Sequence, residues 1–217
     1  MDSRTRMVDT TLRILRSQGV RATGINQIVR ESRSPRGSIY HHFPGGKEQL
    51  VLEALRVAGE AVAGKIRGAL DAHADVAAAL RAYIDGYAED IRASDYRRGC
   101  PVANVAMDAA ATSPAIRHAC DEIFAGWAAP IARRLEREGR RPKDAAALAE
   151  FVISTLEGAL ILCRARRSTE PLAGVAARLE TLLGAGGANG VGGSGPRTGA
   201  RPSAAGPRRR GTSGRPR

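Results

Sequence analysis

The sequence is poor in aromatic residues, which make up only 4% of its 217 positions. Strands favour aromatic and β-branched side chains, whereas alanine and leucine favour helices. Alanine is abundant, and the apolar residues recur at helical spacing without the alternation that is typical of strands. The composition therefore predicts an all-α fold.

Cysteines and catalytic motifs are also scarce. The three cysteines, Cys100, Cys120 and Cys163, form no CxxC pair, which argues against a disulfide framework and against a structural zinc site. The sequence has no HExxH motif, no Ser-His-Asp set, no plausible carboxylate pair and no glycine loop that could hold a phosphate. We therefore expect neither an enzyme nor a bound metal or cofactor.

Long apolar runs are missing as well. No stretch of the sequence predicts a transmembrane helix, and the polar start MDSRTR lacks the apolar region of a signal peptide. From these absences we expect a cytoplasmic protein that has no membrane partner.

The charge of +12 is distributed unevenly along the chain. Residues 1–50 contain nine basic and four acidic residues, and residues 51–183 contain eighteen of each. Residues 184–217 contain seven arginines and no acidic residue. A small basic unit beside a neutral one predicts a polyanionic partner, such as double-stranded DNA, at the N-terminal end.

Glycines, prolines and capping residues divide the chain into nine predicted helices. Gly19 is placed to end the first helix, and Pro35 is placed to begin the third. The pattern predicts a DNA-binding domain over 1–50, a helical ligand-binding and dimerisation domain over 51–183, and a disordered basic tail over 184–217. The tail has too few apolar residues to offset its ordering entropy. It could add nonspecific affinity for DNA, bind other polyanions or have no role.

The first 50 residues follow a helix-turn-helix plan, in which the second short helix enters the major groove. The first residues of this recognition helix are suited to the task. Arg36 can contact guanine, Gly37, which precedes Ser38, permits a close approach, and Tyr40 and His41 can reach phosphates or thymine methyls. For Tyr40 the alternative is a half-buried core residue. His41 and His42 diverge by about 100° on a helix and are therefore a poor metal pair.

The stretch GVRATGINQIVRESRSPRGSIYHHFPGGKEQL closely resembles the DNA-binding region of the TetR family of bacterial repressors. The segments PRGSIYHHFPGGKEQL and GCPVANVAMD resemble sequences of the LmrA/YxaF-like branch, whose members regulate drug-resistance and efflux genes. The resemblance implies a nine-helix fold, a homodimer, a roughly palindromic operator and a small-molecule effector. It assigns DNA contacts to Thr23, Gly24, Asn26, Gln27, Arg36, Gly37, Ser38, Tyr40, His41 and Lys47.

Two residues depart from the family pattern. Gly24 replaces a threonine or serine that would cap the second helix, and Arg33 replaces a glycine in the turn. A non-glycine residue with a positive φ costs roughly 1 kcal/mol. The turn is therefore either mildly strained or arranged differently from the family pattern.

The second domain has candidate residues for a cavity and for an interface. A ligand cavity is predicted from large or polarisable residues, for which the alternative is ordinary core packing: Tyr83, Tyr87, Cys100, Met107, Phe124 and Trp127. Cys100 could sense oxidants if Arg97 and Arg98 lowered its pKa, or it could simply be packed. A dimer interface is predicted on the eighth and ninth helices, at Phe151, Ser154, Gly158, Ile161, Leu172, Val175 and Leu179.

Overall fold

The computed structural model describes residues 2–184, and within this range it has nine α-helices and no strand. The all-α, nine-helix prediction is confirmed. The predicted basic tail lies outside the described residues except for Gly184, which ends the last helix. In chain order the helices are α1 (Ser3–Gln18), α2 (Ile25–Glu31), α3 (Ser38–His42), α4 (Gly46–Ala72), α5 (Val76–Ala93), α6 (Pro101–Ala109), α7 (Pro114–Arg137), α8 (Pro142–Arg166) and α9 (Glu170–Gly184).

Local capping fixes the ends of α1. The carboxylate of Asp2 accepts a hydrogen bond from the backbone N–H of Thr5 at 2.7 Å, which satisfies one of the unpaired donors at the start of the helix. Gly19 follows the helix with a φ of +73°, a conformation that favours glycine.

The third helix is shorter than predicted. It begins at Ser38, because Pro35–Gly37 form a turn in which the Ser38 N–H donates to the Pro35 carbonyl at 3.0 Å. Gly37 precedes the helix and offers no side chain that could cap it. The start of the predicted recognition helix is therefore a turn that leads into five helical residues.

One continuous core runs through both predicted domains. Met7, Ile28 and Phe43 are buried in the N-terminal part, and α4 extends the core with Leu55 and Ile66. α4 is 27 residues long and packs against α1 at one end and against α5 and α7 along its length. The N-terminal helices therefore share a core with the rest of the protein.

The length and composition of α8 contradict the expectation that no stretch of the sequence could span a membrane. Pro142–Arg166 is long and apolar enough, by length and composition, to cross a membrane. Sequence inspection missed it because Glu150 and Glu157 interrupt the run. Its inner face packs on α7 and α9, as in the core helix of a soluble bundle. Its outer face exposes Phe151, Ile161 and Leu162, so the protomer leaves a second apolar face uncovered.

Candidate nucleic-acid interface and internal cavity

The second and third helices share an exposed polar surface. Ile28, Ile39 and Phe43 anchor these helices in the core. Arg36 and Gly37 are exposed before α3, and Tyr40 is 62% exposed on it, so the alternative of a half-buried core tyrosine is wrong. Within residues 2–184 the Arg36 guanidinium forms no ion pair or hydrogen bond. It is therefore available to a ligand.

The other predicted contact residues surround this surface to different degrees. Gly24, Asn26 and His41 are exposed, whereas Ser38 is half-buried. Gln27 is also half-buried, and its amide both donates to Glu31 at 2.9 Å and accepts from Gln18 at 2.9 Å. One N–H of the Gln27 amide and one lone pair of its oxygen remain for a contact with DNA.

Two residues assigned to the DNA surface are directed into the protein instead. Thr23 is 1% exposed, and its hydroxyl donates to the carbonyl of Gly19. The Nζ atom of Lys47 donates to the carbonyl of Val20 at 2.7 Å, and burial lowers the pKa of this amine. Both side chains pair with backbone carbonyls of the short segment that follows α1. These contacts between distant segments could not be predicted from the local pattern.

The two residues that depart from the family pattern, Gly24 and Arg33, lie at the two ends of α2. Arg33 has a φ of +51°, so this residue does adopt the left-handed conformation in which glycine is favoured. The Ser34 N–H donates to the Val29 carbonyl at 3.2 Å and closes the turn. No side-chain cap is present at Gly24. The turn therefore keeps the usual geometry at a cost of roughly 1 kcal/mol.

The sequence interpretation overlooked two basic residues at this surface. Arg30 and Arg33 are exposed near the predicted contacts. Arg30 follows Asn26 by four residues and therefore lies on the same side of α2. That spacing was the signal that could have identified Arg30 in advance.

Three aromatic residues of the second domain line a small internal cavity. Tyr83, Tyr87 and Trp127 contribute to its wall, and its volume is about 20 Å³, which is room for about one water molecule. The indole Nε1 of Trp127 donates to the Gly59 carbonyl at 2.9 Å, and the Phe124 ring meets the indole edge-to-face at 5.3 Å. Of the predicted ligand-binding residues, Tyr83, Tyr87 and Trp127 line this cavity, whereas Phe124 lines a separate groove between α7 and α8.

An acidic residue that the sequence interpretation missed, Glu157, also lines the cavity. Burial raises the pKa of this carboxyl to about 7, and the thiol of Cys100 is its hydrogen-bonding neighbour. Burial and the nearby Glu157 raise the pKa of Cys100 well above its ordinary value. Cys100 is therefore a packed thiol, and the alternative in which Arg97 and Arg98 lower its pKa is wrong.

Met107 does not belong to the cavity with which it was grouped. It is 66% exposed and lines a surface groove together with Tyr96, Asn104 and Ile161. Helical spacing placed Met107 with the apolar residues of α6, but α6 is short and buries only one side, which contains Val102 and Val105.

The sequence GCPVANVAMD joins the cavity to the N-terminal helices. Gly99 donates its N–H to the Arg16 carbonyl at 3.2 Å. The sulfur of Cys100 accepts from the Ala103 N–H at 3.5 Å and caps α6, and Pro101 occupies the first helical position. The residue beside Glu157 thus also begins the helix that packs on α1.

Two side chains of α6 hold the end of α1, and we call Asn104 and Asp108 the α6 clamp. The amide of Asn104 donates to the carbonyls of Leu15 and Arg16 at 3.2 and 3.1 Å. The carboxylate of Asp108 accepts from the Val20 N–H at 2.9 Å. A Cβ on Gly19 would lie 2.0 Å from this carboxylate oxygen, so the close approach requires glycine.

Asp108→Ala should lower the free energy of unfolding by about 1 to 2 kcal/mol, because it leaves the Val20 N–H without its acceptor. Urea denaturation measures this loss. The control is Asp85→Ala, which removes an exposed carboxylate paired with Arg81 on the surface and should change stability by less than about 1 kcal/mol. Equal effects of the two substitutions would show that the α6 clamp adds nothing.

The predicted interface residues divide into two groups. On α8, Phe151, Ser154, Gly158 and Ile161 are all exposed. On α9, Leu172 and Leu179 are 1% and 2% exposed, so their assignment to an interface is wrong. They pack inward against the core, and Val175 is half-buried. The residues of α9 that are exposed beside Phe151 and Gly158 are Gly174, Arg178 and Leu182.

The helix-turn-helix and the helical second domain define a transcription regulator, and the comparisons with known proteins agree. Residues 7–54 match the family model described as bacterial regulatory proteins, tetR family. Residues 76–178 match the LmrA/YxaF-like transcriptional regulator C-terminal domain. The regulator YxaF of Bacillus subtilis is 34% identical over 84% of this chain and 95% of its own. The chain belongs to the TetR family of transcription regulators and is not an enzyme.

Other relatives and solved structures support this assignment. A transcriptional regulator of Mycobacterium tuberculosis is 39% identical over 83% of this chain and 93% of its own length. The regulator LmrA of Bacillus subtilis is 31% identical over 84% of this chain and 97% of its own length. A TetR regulator from Legionella pneumophila has the same fold, with a TM-score of 0.76 at 19% identity, over 84% of this chain and 97% of that one.

Proposed function

We propose that the chain is a ligand-responsive repressor that binds a specific operator as a homodimer. The observation that carries this proposal is the exposed surface of α2 and α3, where Arg36 is unpaired among the described residues and Tyr40 projects outwards. Arginine contacts guanine through two parallel hydrogen bonds in the major groove. A folded, core-anchored surface of this kind supports sequence-specific binding over purely nonspecific binding.

Arg36→Ala should weaken operator binding by about 1 to 3 kcal/mol, roughly 5- to 150-fold, and relax the preference at one base pair. The operator is first selected from random DNA with the full chain, and affinities are then measured by fluorescence anisotropy. Arg133→Ala is the matched control, because Arg133 is exposed on the far half of α7. An Arg36 variant with unchanged affinity and base preference would refute the assignment. Selection that enriches no sequence would favour a nonspecific DNA-binding protein instead.

We propose that an effector acts through the cavity and the α6 clamp. Glu157 and Cys100 adjoin each other, Cys100 caps α6, and Asn104 and Asp108 hold the end of α1. A ligand that displaced α6 would therefore shift the end of α1 and the helices that α1 supports. Coupling of this type requires that the effector bind one of two arrangements more tightly than the other.

The remaining parts of the proposal rest on the family and on the surface of α8. The exposed apolar face of α8 supports a homodimer, and a dimer predicts a roughly palindromic operator. The relatives named as transcription regulators support a cytoplasmic location. The resemblance of the sequence to the LmrA/YxaF-like branch is the reason to propose control of efflux or drug-resistance genes.

A further inference from the structure

Val20 lies in the short segment that joins α1 to α2, and side chains from two other helices bind its backbone. Its N–H donates to the carboxylate of Asp108 on α6 at 2.9 Å, and its carbonyl accepts from the Nζ atom of Lys47 on α4 at 2.7 Å. These two partners lie 88 and 27 positions away in the sequence. One residue is therefore held at its N–H by an anionic side chain and at its carbonyl by a cationic one.

The rest of the segment is tied to the same contacts. The carboxylate of Asp108 also lies 3.5 Å from the backbone nitrogen of Arg21, and the Asp108 carbonyl accepts from the Nε atom of Arg21 at 3.3 Å. The Val20 carbonyl accepts a second hydrogen bond, from the N–H of Thr23 at 3.1 Å, so both of its lone pairs are used. Loss of Lys47 or Asp108 would therefore loosen the turn that leads into α2.

The start of α2 has little local support of its own. Gly24 precedes the helix and provides no side-chain cap. The helix has only seven residues, which is too short for a helix to be stable by itself. Its position is therefore set by its buried residues, Ile28 and Val29, and by the segment that enters it. Two of the predicted DNA contacts, Asn26 and Gln27, lie in its first turn, next to that segment.

The environment of Lys47 suits a contact inside the protein. Its side chain is half-buried, burial lowers the pKa of the amine, and the carbonyl that it binds belongs to the buried Val20. A hydrogen bond from an ammonium group to a buried carbonyl is stronger than an ion pair between groups in water. A phosphate contact would therefore have to compete with the stronger of the two interactions.

We infer that Lys47 and Asp108 are positioning residues for operator binding, which act through Val20 and set the start of α2 without contacting DNA themselves. This role replaces the phosphate contact that the family resemblance assigns to Lys47. The inference rests on the proposed function, because sequence-specific operator binding is the activity that the two residues support. Since their charges are opposite, electrostatic attraction to DNA would give their removal opposite effects, whereas positioning gives it the same effect.

The test compares Lys47→Met and Asp108→Ala with the wild-type full chain, on the selected operator and on random DNA, by fluorescence anisotropy. We expect each substitution to weaken operator binding by about 10-fold, which is the size of one lost base contact, and to change binding to random DNA much less. Removal of a carboxylate would by itself raise the affinity for DNA. Weaker operator binding by Asp108→Ala therefore separates positioning from attraction.

Two matched controls isolate the bonds to Val20 from the charges. Asp108→Asn removes the same charge as Asp108→Ala but keeps an oxygen that can accept from the Val20 N–H, so it should bind the operator nearly as well as the wild type. Lys65→Met removes the same charge from the same helix as Lys47→Met, at an exposed position paired with Asp90, and should leave operator binding unchanged.

A salt series tests the phosphate contact directly. For Lys47→Met, the slope of log affinity against log salt concentration should match that of the wild type, because loss of a phosphate contact would reduce its magnitude by about 0.9. In the double variant the losses caused by Lys47→Met and Asp108→Ala should not add, since both bonds hold the same residue.

Circular dichroism establishes that each variant is folded in the assay, and if Asp108→Ala does not fold, the salt slope of Lys47→Met decides alone. The inference is overturned if Asp108→Ala binds the operator at least as tightly as the wild type, or if the two losses add fully. It is also overturned if Lys47→Met loses affinity equally on both DNAs with a reduced slope. In these cases the proposed function stands, whereas a selection that enriches no operator contradicts the proposed function and this inference together.

Discussion

Gly158→Arg should convert the protein into monomers that keep the native protomer fold and lose operator binding. Gly158 is exposed on α8, and a Cβ added there would meet no atom within 4 Å in the protomer. The larger side chain is therefore harmless to a single chain. In a dimer formed by α8 and α9, it would place an unpaired charge in a close helix contact.

The expected effect is large because the substitution acts twice in a symmetric interface. An unpaired buried charge costs about 3 to 5 kcal/mol, and a two-fold axis places one arginine from each protomer in the same contact region. The apolar residues around it, Phe151 and Leu162 of α8 and Leu182 of α9, are those that the protomer leaves exposed. We expect operator affinity to fall by at least about 100-fold, since 1.4 kcal/mol corresponds to a factor of ten.

Sedimentation velocity measures the assembly state, and fluorescence anisotropy measures operator binding. Gly68→Arg is the matched control, because Gly68 is also an exposed helical glycine with nothing within 4 Å of an added Cβ, but it lies on α4. That variant should remain dimeric. If Gly158→Arg also sediments as an unaltered dimer, the interface lies elsewhere on the protein.

The parts of the fold that could be predicted from the sequence depend on local signals. Gly19 ends α1 because its φ of +73° lies in the left-handed region that favours glycine. Arg33 has a positive φ, which is one of the two alternatives that its position in the turn left open. Capping and turn residues act over a few positions, so their effects can be read directly from the sequence.

Residues that depend on contacts between distant segments were assigned less accurately. Lys47 pairs with the Val20 carbonyl, which lies 27 positions earlier in the chain. Leu172 and Met107 both occur in amphipathic helices, but one is buried and the other is exposed. Apolar periodicity identifies a face of a helix, but it cannot show which of two apolar faces is covered by the same chain and which remains open.

Glu157 was missed for a related reason. A single glutamate in a helix is usually solvated, and nothing in the neighbouring sequence indicates that α5 and α7 cover this one. Its burial depends on the packing of Tyr83, Tyr87 and Trp127 from other helices. The acidic half of the candidate site therefore became visible only in the folded structure, whereas its aromatic half was apparent from composition.

Glu157→Gln should stabilise the ligand-free protein by up to about 3 kcal/mol at pH 8. In the folded state the pKa of Glu157 is raised from 4.5 to about 7 by burial, and each pKa unit corresponds to about 1.4 kcal/mol. The folded protein therefore holds the proton more tightly than the unfolded chain does. Ionisation costs the folded state free energy, and glutamine, which cannot ionise, avoids this cost.

The sign of the effect fixes its dependence on pH. Below pH 4.5 the carboxyl is protonated in both states, and the wild-type protein and the variant should have similar stability. As the pH rises from 4.5 to 7, the unfolded chain loses its proton first, so the wild type becomes progressively less stable relative to the variant. The difference should be roughly 1 kcal/mol at pH 5 and reach its full value above pH 7.

Other ionisable groups near Glu157 do not reproduce this profile. Burial raises the pKa of Tyr83, Tyr87 and Cys100 above their ordinary values, so all three stay neutral between pH 4 and 8. Asp121 and Glu150 line the groove between α7 and α8, and Asp90 and Arg16 act on the tyrosines from α5 and α1. All of these groups are present in both proteins, so their contributions largely cancel in the difference.

Urea denaturation at equal protein concentration, from pH 4 to pH 8, measures this difference. Glu150→Gln, which removes an exposed carboxylate from the same helix, should show little change with pH. A difference that stays constant from pH 4 to pH 8 would show that Glu157 ionises as freely in the folded protein as in the unfolded chain.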